Sequence, residues 1–271
     1  MNMFKFEFKR LSKAMLIWTA ISILLIGLFV MIFPTMKDSG MQEIVNSKMG
    51  AMPEGLLEAV NLTKDVDLTK LSDYMAYCIQ YIAMAAGIYG AILGTTALIK
   101  EETEGTIEFL YSKPVKRTAI ISAKLLATGL IFLIFTTLVG LLTFLISLPV
   151  LPEDIKALDY LMDLKLMFLG IALVGYVFMA IGFLISTLIK SSKSSIVIGI
   201  GIFFATYIVG IASKLQKDLQ WLKYFSPVEY GEPTKLIKDG FQSNNLFLAL
   251  GIIAVTIIGT YVVYNKKDMK I

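Results

Sequence analysis

Four glutamates and four basic residues crowd into positions 100–117, within the stretch LIKEETEGTIEFLYSKPVKR at 98–117. Side chains of these kinds at this spacing can ion-pair with a partner protein. Read as a helix, Glu101, Glu104 and Glu108 share one face at i, i+3 and i+7, while Ile107 and Leu110 lie close together on another. Gly105 weakens such a helix by about 1 kcal/mol relative to Ala. Pro114 ends it, and Ser112–Lys113 begin a turn. Thr118 is placed to cap the next helix, which carries Lys124. The expectation is a short helical elbow with an acidic face followed by a basic turn. A solvated connector of mixed charge is the plain alternative.

Other chemistries find little support. The chain has no His and one Cys, Cys78. That excludes an internal disulfide and any His-dependent site such as the H-E-x-x-H zinc arrangement. No G-x-x-x-x-G-K-[ST] occurs, so no P-loop belongs to this sequence. The loops hold no catalytic constellation, which argues against a membrane enzyme.

The elements that must position the elbow are apolar. Of 271 residues 56% are hydrophobic and 17% charged, with a mean hydropathy of +0.74. Soluble domains average roughly 25% charged, so this chain lacks the polar residues to cover itself and its surplus apolar surface must face lipid. Stretches free of Asp, Glu, Lys and Arg mark six spans of the required length, since each needs about 20 residues. We place the spans at about 14–36, 74–99, 118–150 (its charge-free part beginning after Lys124), 166–189, 194–213 and 241–265. The fold class is all-α, a polytopic membrane protein forming one transmembrane domain over 1–271. The first span is expected to be retained rather than cleaved as a signal peptide.

Alternate connecting segments carry 14 basic and 6 acidic residues on one side, against 11 basic and 15 acidic on the other. The positive-inside rule then puts both termini and the elbow in the cytoplasm. The segment 214–239 fits least well, with five lysines on the outer side.

The run LIKEETEGTIEFLYSKPVKRTAIISAKLLA resembles the signature of type-2 ABC exporter membrane subunits, E-x-x-x-G-T-x-E-x-L-x-[ST]-x-P-[VI]-x-R. Glu101, Gly105, Thr106, Glu108, Leu110, Ser112, Pro114, Val115 and Arg117 match in order, and Lys124 matches the basic residue that follows. The resemblance covers about 30 residues, and the plan of six spans with a long first outer loop is similar too. It implies that 100–117 is a coupling helix docked on a separate ATPase subunit. On that reading Glu101, Glu104 and Glu108 are the polar contacts, Ile107 and Leu110 the apolar ones, Gly105 and Pro114 shape the element, and Arg117 belongs to the same docking set. The implied partners are cytoplasmic ABC ATPase subunits carrying ATP and Mg, a second copy or a homologous permease, and membrane lipid, with no nucleic acid. No cofactor or metal is expected on this chain. The implied function is export of an amphipathic or hydrophobic substrate (peptide, antibiotic or lipid-like) from a bacterial cytoplasmic membrane. A stand-alone secondary carrier or flippase is the alternative.

Further features follow from periodicity. Phe4, Phe8, Leu11 and Met15 recur at helical spacing, predicting an amphipathic interfacial helix over 1–13, with a strand as the weaker choice. Met52, Leu56, Leu57 and Val60 could form an apolar face after Pro53. Trp221, Tyr224, Phe225 and Tyr230 suit an interface, and the resemblance implies that 214–239 dips back into the outer leaflet. Gly87, Gly90 and Gly94 permit close helix approach, with a dimer seam as one use. Thr95, Thr96, Thr136, Thr137 and Thr206 either line a path or bond their own helices. Met15, Met84, Met167 and Met179 are expected to fill the core.

Overall fold

The computed structural model describes residues 3–37, 43–44, 47, 50, 52–62, 66–100, 116–189 and 191–267. Among them there is no strand. The helices are α1 (Met3–Met36), α2 (Glu54–Ala59), α3 (Leu71–Thr96), α4 (Arg117–Ser147), α5 (Ala157–Ser186), α6 (Ser192–Leu215), α7 (Pro233–Asp239) and α8 (Ser243–Lys266). Short 3₁₀ segments cover Leu148–Val150, Lys217–Phe225 and Pro227–Gly231. Six helices (α1, α3, α4, α5, α6 and α8) are long and apolar enough to cross a membrane.

α3 and α5 form the centre. In each, 61% of the most apolar window is buried, against 22% in α6 and 11% in α8. Glycine lets the central pair approach at backbone distance. A Cβ on Gly90 would stand 2.5 Å from the Gly175 carbonyl oxygen, and one on Gly94 would strike the Met179 carbonyl. Gly87 instead makes room for the Phe203 ring of α6. The three glycines expected to permit close approach therefore do so inside one chain, and not at a seam between two. Buried Tyr89 carries α1 and α4 onto this centre, with Trp18 at 5.2 Å and Phe135 at 5.2 Å between ring centroids. Met15, Met167 and Met179 are buried core residues. Large apolar side chains such as Leu24, Met31, Leu126, Val255 and Ile258 point outward, as lipid-facing side chains do.

Helix boundaries differ from the charge-free windows in two places. Residues 1–13 were expected to lie along the interface, yet Met3–Met36 is one uninterrupted helix. Its length is about 51 Å, and residues 3–13 are its first turns rather than a separate helix. Nothing between residues 3 and 26 breaks a helix, for Gly and Pro are absent there. Phe8 and Leu11 pack against the core, and Phe4 stacks on Phe8 with centroids 5.9 Å apart. The second difference is α5, which starts at Ala157 rather than at 166. Its first turns hold Asp159 and Asp163. Acidic groups favour a helix N-terminus, and Asp163 also accepts a 2.6 Å hydrogen bond from Ser72 of α3.

The first turns of α1 and the last turn of α8 both lie beside the start of α4, at what is termed here the terminal end of the bundle. At the far end α2 lies against α6, with Leu57 and Ala59 buried and Met52, Leu56 and Val60 exposed. Only Leu57 of the expected apolar face is used inward. Lys217–Phe225 packs on α6, and the chain then folds back, with Pro227–Gly231 against α5 and α7 against both α3 and α5. Gly231 sits on the backbone of Gly170, thirteen residues into that helix, or about 20 Å along it. Irregular backbone at that depth is tolerated where protein covers it, and Pro227, Tyr230 and Gly231 are buried. Gly240, at φ +67, turns the chain into α8, a conformation that glycine adopts without strain. Trp221, Tyr224 and Phe225 stay exposed at the far end, whereas Tyr230 is buried.

Candidate functional site

The expected docking residues Glu101, Glu104, Gly105, Ile107, Glu108, Leu110 and Pro114 lie outside the described residues. The two ends that hold this segment are described. α3 stops at Thr96, with turns over Ala97–Ile99, and α4 starts at Arg117 after an N-cap at Lys116. Thr118, expected as the cap, lies one turn position inside the helix instead. The extended backbone of Lys116, at ψ 143, already marks the boundary.

Arg117 reaches the last turn of α8. Its Nη1 donates to the carbonyl oxygens of Tyr264 (3.3 Å), Asn265 (3.1 Å) and Lys267 (2.7 Å). The last carbonyls of a helix have no intrahelical donor and carry partial negative charge. A guanidinium there satisfies both needs. The start of α4 is thereby fastened to the end of the chain's final helix.

Lys124 fastens the same region to α1 and α3. Its Nζ lies 3.0 Å from Glu7 Oε1 and donates to the Ala97 carbonyl at 2.7 Å. Glu7 also pairs with Arg10, one turn on, at 2.6 Å. The Lys124 and Glu7 side chains are only 2% and 5% exposed. A buried pair such as this adds little net stability, because desolvation offsets attraction, but removing one member costs about 3–5 kcal/mol. Beside the pair a cavity of about 240 Å³ is lined by Glu7, Arg10, Trp18, Tyr89, Thr96 and Lys124, among others.

In sequence, residues 101–115 join the end of α3 to the start of α4. Lys124 ties those two points to each other through Ala97, and to α1 through Glu7. Arg117 adds α8. The two described ends flanking this stretch are thus joined to four of the six long helices.

Sequence reasoning marked Lys124 and missed its partner. A signal existed: Glu7 is the sole acidic residue among positions 1–13, and it lies in the same helical stripe as Phe4, Phe8 and Leu11. A carboxylate inside an apolar stripe asks for a buried cation.

A second charged cluster sits at the far end. Lys214 of α6 lies 2.7 Å from Glu229 Oε1 and 3.2 Å from Glu232 Oε2. Lys235 bridges the same two carboxylates at 3.3 and 2.7 Å. Thr234 donates to Glu232 at 2.9 Å, and Asn61 accepts from Lys214. Burial alone would raise the Glu232 carboxyl, but Lys214 and Lys235 outweigh it and hold the group below the usual carboxylate range. The spacing Glu229, Glu232, Lys235 at intervals of three was visible in the sequence. Two of the five lysines that fit the charge rule least are held here against carboxylates.

The threonines bond inward. Thr95, Thr96, Thr136 and Thr206 each donate to the carbonyl four residues earlier in their own helix. Among the described residues no group of acidic or Cys side chains is placed to hold a metal ion.

A family model described as ABC-2 family transporter protein matches residues 1–269. No curated protein matches the chain.

Proposed function

We propose, from the premise that the chain belongs to the ABC-2 family of transporter membrane proteins, that it is the permease half of an ATP-driven exporter. The chain is a multi-pass transmembrane transporter subunit. ATP and Mg would reside on separate ATPase chains docked at 100–117 on the cytoplasmic side. A second copy of the chain, or a homologous permease, would complete the translocation path in a bacterial cytoplasmic membrane.

One observation carries this reading beyond the family: the segment 101–115 is held at both ends by side chains that reach α1 and α8 as well as α3 and α4. A membrane subunit driven by another chain must receive work through contact, and rigid-body movement passes through packed elements that shift together. Four glutamates on the segment suit a basic rim on the ATPase, where charge gives steering and specificity more than affinity. The basic excess near the terminal end supports placing that end in the cytoplasm.

Apolar grooves support an amphipathic or hydrophobic cargo such as a peptide, antibiotic or lipid-like molecule. One of about 320 Å³ runs between α4 and α5 past Leu133, Thr137, Leu141, Met162 and Phe168, with Lys165 at its edge.

The test is reconstitution into vesicles with and without the ATPase subunit. The exporter reading expects cargo movement and nucleotide-dependent turnover only when both chains are present. Transport by this chain alone, driven by an ion gradient, would establish the secondary-carrier alternative in its place.

A further inference from the structure

The far-end charge cluster has no part in docking an ATPase, yet its parts come from three separate segments. Lys214 is an ammonium with three protons to donate. It meets three acceptors: Glu229, Glu232 and the side-chain oxygen of Asn61. Asn61 belongs to the first far-end loop, at a left-handed φ of 59, and its amide donates in turn to Gln80 of α3 at 2.8 Å. The two glutamates belong to the folded-back segment. One side chain on α6 therefore joins that segment to the loop and, through Asn61, to α3.

Contacts on either side of the folded-back segment differ in kind. Toward α5 and α3 it packs by backbone and apolar groups, with Gly231 on Gly170, Leu236 filling the space that a Gly170 side chain would need, and α7 lying against both helices. Toward α6 the ionic cluster holds it, with Ser226 fitted against Gly210 one turn below Lys214 and a smaller apolar contact from Val228 in the cluster of Phe203. An apolar contact loses its full burial energy when parted in water. A buried ionic contact does not, because hydration of the freed charges offsets the lost attraction. The α6 side is the one that can part at small net cost.

We propose that Lys214 is the positioning residue that holds the far end of the path shut, and that the segment 226–240 swings from α6 on its α3 and α5 contacts when the cluster parts. This rests on the exporter reading only for what passes through the opening. Closure itself belongs to the isolated chain and is measured without an ATPase.

Hydrogen exchange on the full-length chain in detergent reads the opening directly, through amides such as those of Leu236 and Gly240, which bond within the segment. Lys214→Met should speed exchange over 226–240 by about tenfold or more, because two carboxylates then face each other with only Lys235 between them. Asn61→Ala, which removes one acceptor, should give a smaller rise in the same segment. Neutralising all three charges, as Lys214→Met with Glu229→Gln and Glu232→Gln, should bring exchange back toward the parent rate. In every case α3 and α5 should keep their protection. If Lys214→Met does not survive purification, Asn61→Ala and Glu229→Gln decide the matter by the same readout. Parent-like exchange in these variants overturns the proposal. So does a rise spread evenly over α3 and α5, which would make Lys214 a general stabiliser. Failure of the exporter reading would be seen separately, as transport without nucleotide.

Discussion

Glu7 and Lys124 stand 117 positions apart in the chain and 3.0 Å apart in the fold. They bring the first turns of α1 to the first turns of α4, beside the segment on which the family reading places a partner. Burial makes the pair sensitive to the loss of either member. Glu7→Gln or Lys124→Met should each destabilise the protein by about 3–5 kcal/mol, whereas replacing both by Met should recover most of that loss. Thermal unfolding in detergent checks it. Equal losses in the single and double variants would show that the charges do not act as a pair.

Arg117 should behave as a cap on α8. Arg117→Ala removes charge-assisted hydrogen bonds to three carbonyls, a loss of about 1.5–3 kcal/mol confined to the last turn. Amide exchange near residues 260–267 should rise while α5 stays protected. Arg117→Lys should restore part of the protection, since an ammonium also complements the helix dipole but lacks the planar fork. A coupled ATPase should respond less to cargo in the Ala variant. Unchanged exchange at that turn would deny the cap.

Two glycines separate packing from propensity. Gly94→Ala would drive a methyl group into the Met179 carbonyl, so it should cost stability and yield. Gly251 of α8 has nothing within 4 Å of an added Cβ. Gly251→Ala should be neutral or stabilise by about 0.5–1 kcal/mol, from helix propensity. Paired expression and thermal-unfolding measurements suffice. A tolerated Gly94→Ala would contradict the close approach of α3 and α5.

Acid should loosen the far end late. Burial raises Glu232, and Lys214 and Lys235 more than reverse that, leaving its carboxyl below the ordinary range. A lowered carboxylate contributes fully above its ordinary value, about 4.3, and loses that contribution as pH falls through the native value. Exchange over 226–240, corrected for intrinsic rate, should stay slow down to about pH 5 and rise only in more acidic solution. Glu229, Lys214 and Lys235 share the cluster, so the rise belongs to the group. Glu232→Gln should remove much of the pH dependence. A rise already present near neutrality would contradict it.

The six long helices were legible because a charge within a span is costly, which leaves windows free of Asp, Glu, Lys and Arg. Those windows mark where lipid lies and not where a helix stops. α1 therefore continues back to Met3 and α5 starts at Ala157, each with charged turns beyond the window. Lys124 was legible through a motif. The pairing of Glu7 with Lys124, and of Glu229 and Glu232 with Lys214, was not, because the partners are far apart in the chain and periodicity reports only neighbours on one helix face. Arg117 was legible as a motif residue, but its hold on Tyr264, Asn265 and Lys267 depends on where the last helix ends in space. The roles of Gly90 and Gly94 split in the same way: close approach was readable from their spacing, and the identity of the approaching helix was not.

The account's central claim is that a partner ATPase docks on 100–117. Copurification of that ATPase with the parent chain, with Glu108→Lys and with Gly105→Pro measures it most directly. Both substitutions should abolish capture, or leave ATP hydrolysis unresponsive to the membrane chain, while the six-span protein still inserts at normal yield. Normal capture and normal coupled hydrolysis in both variants would contradict it.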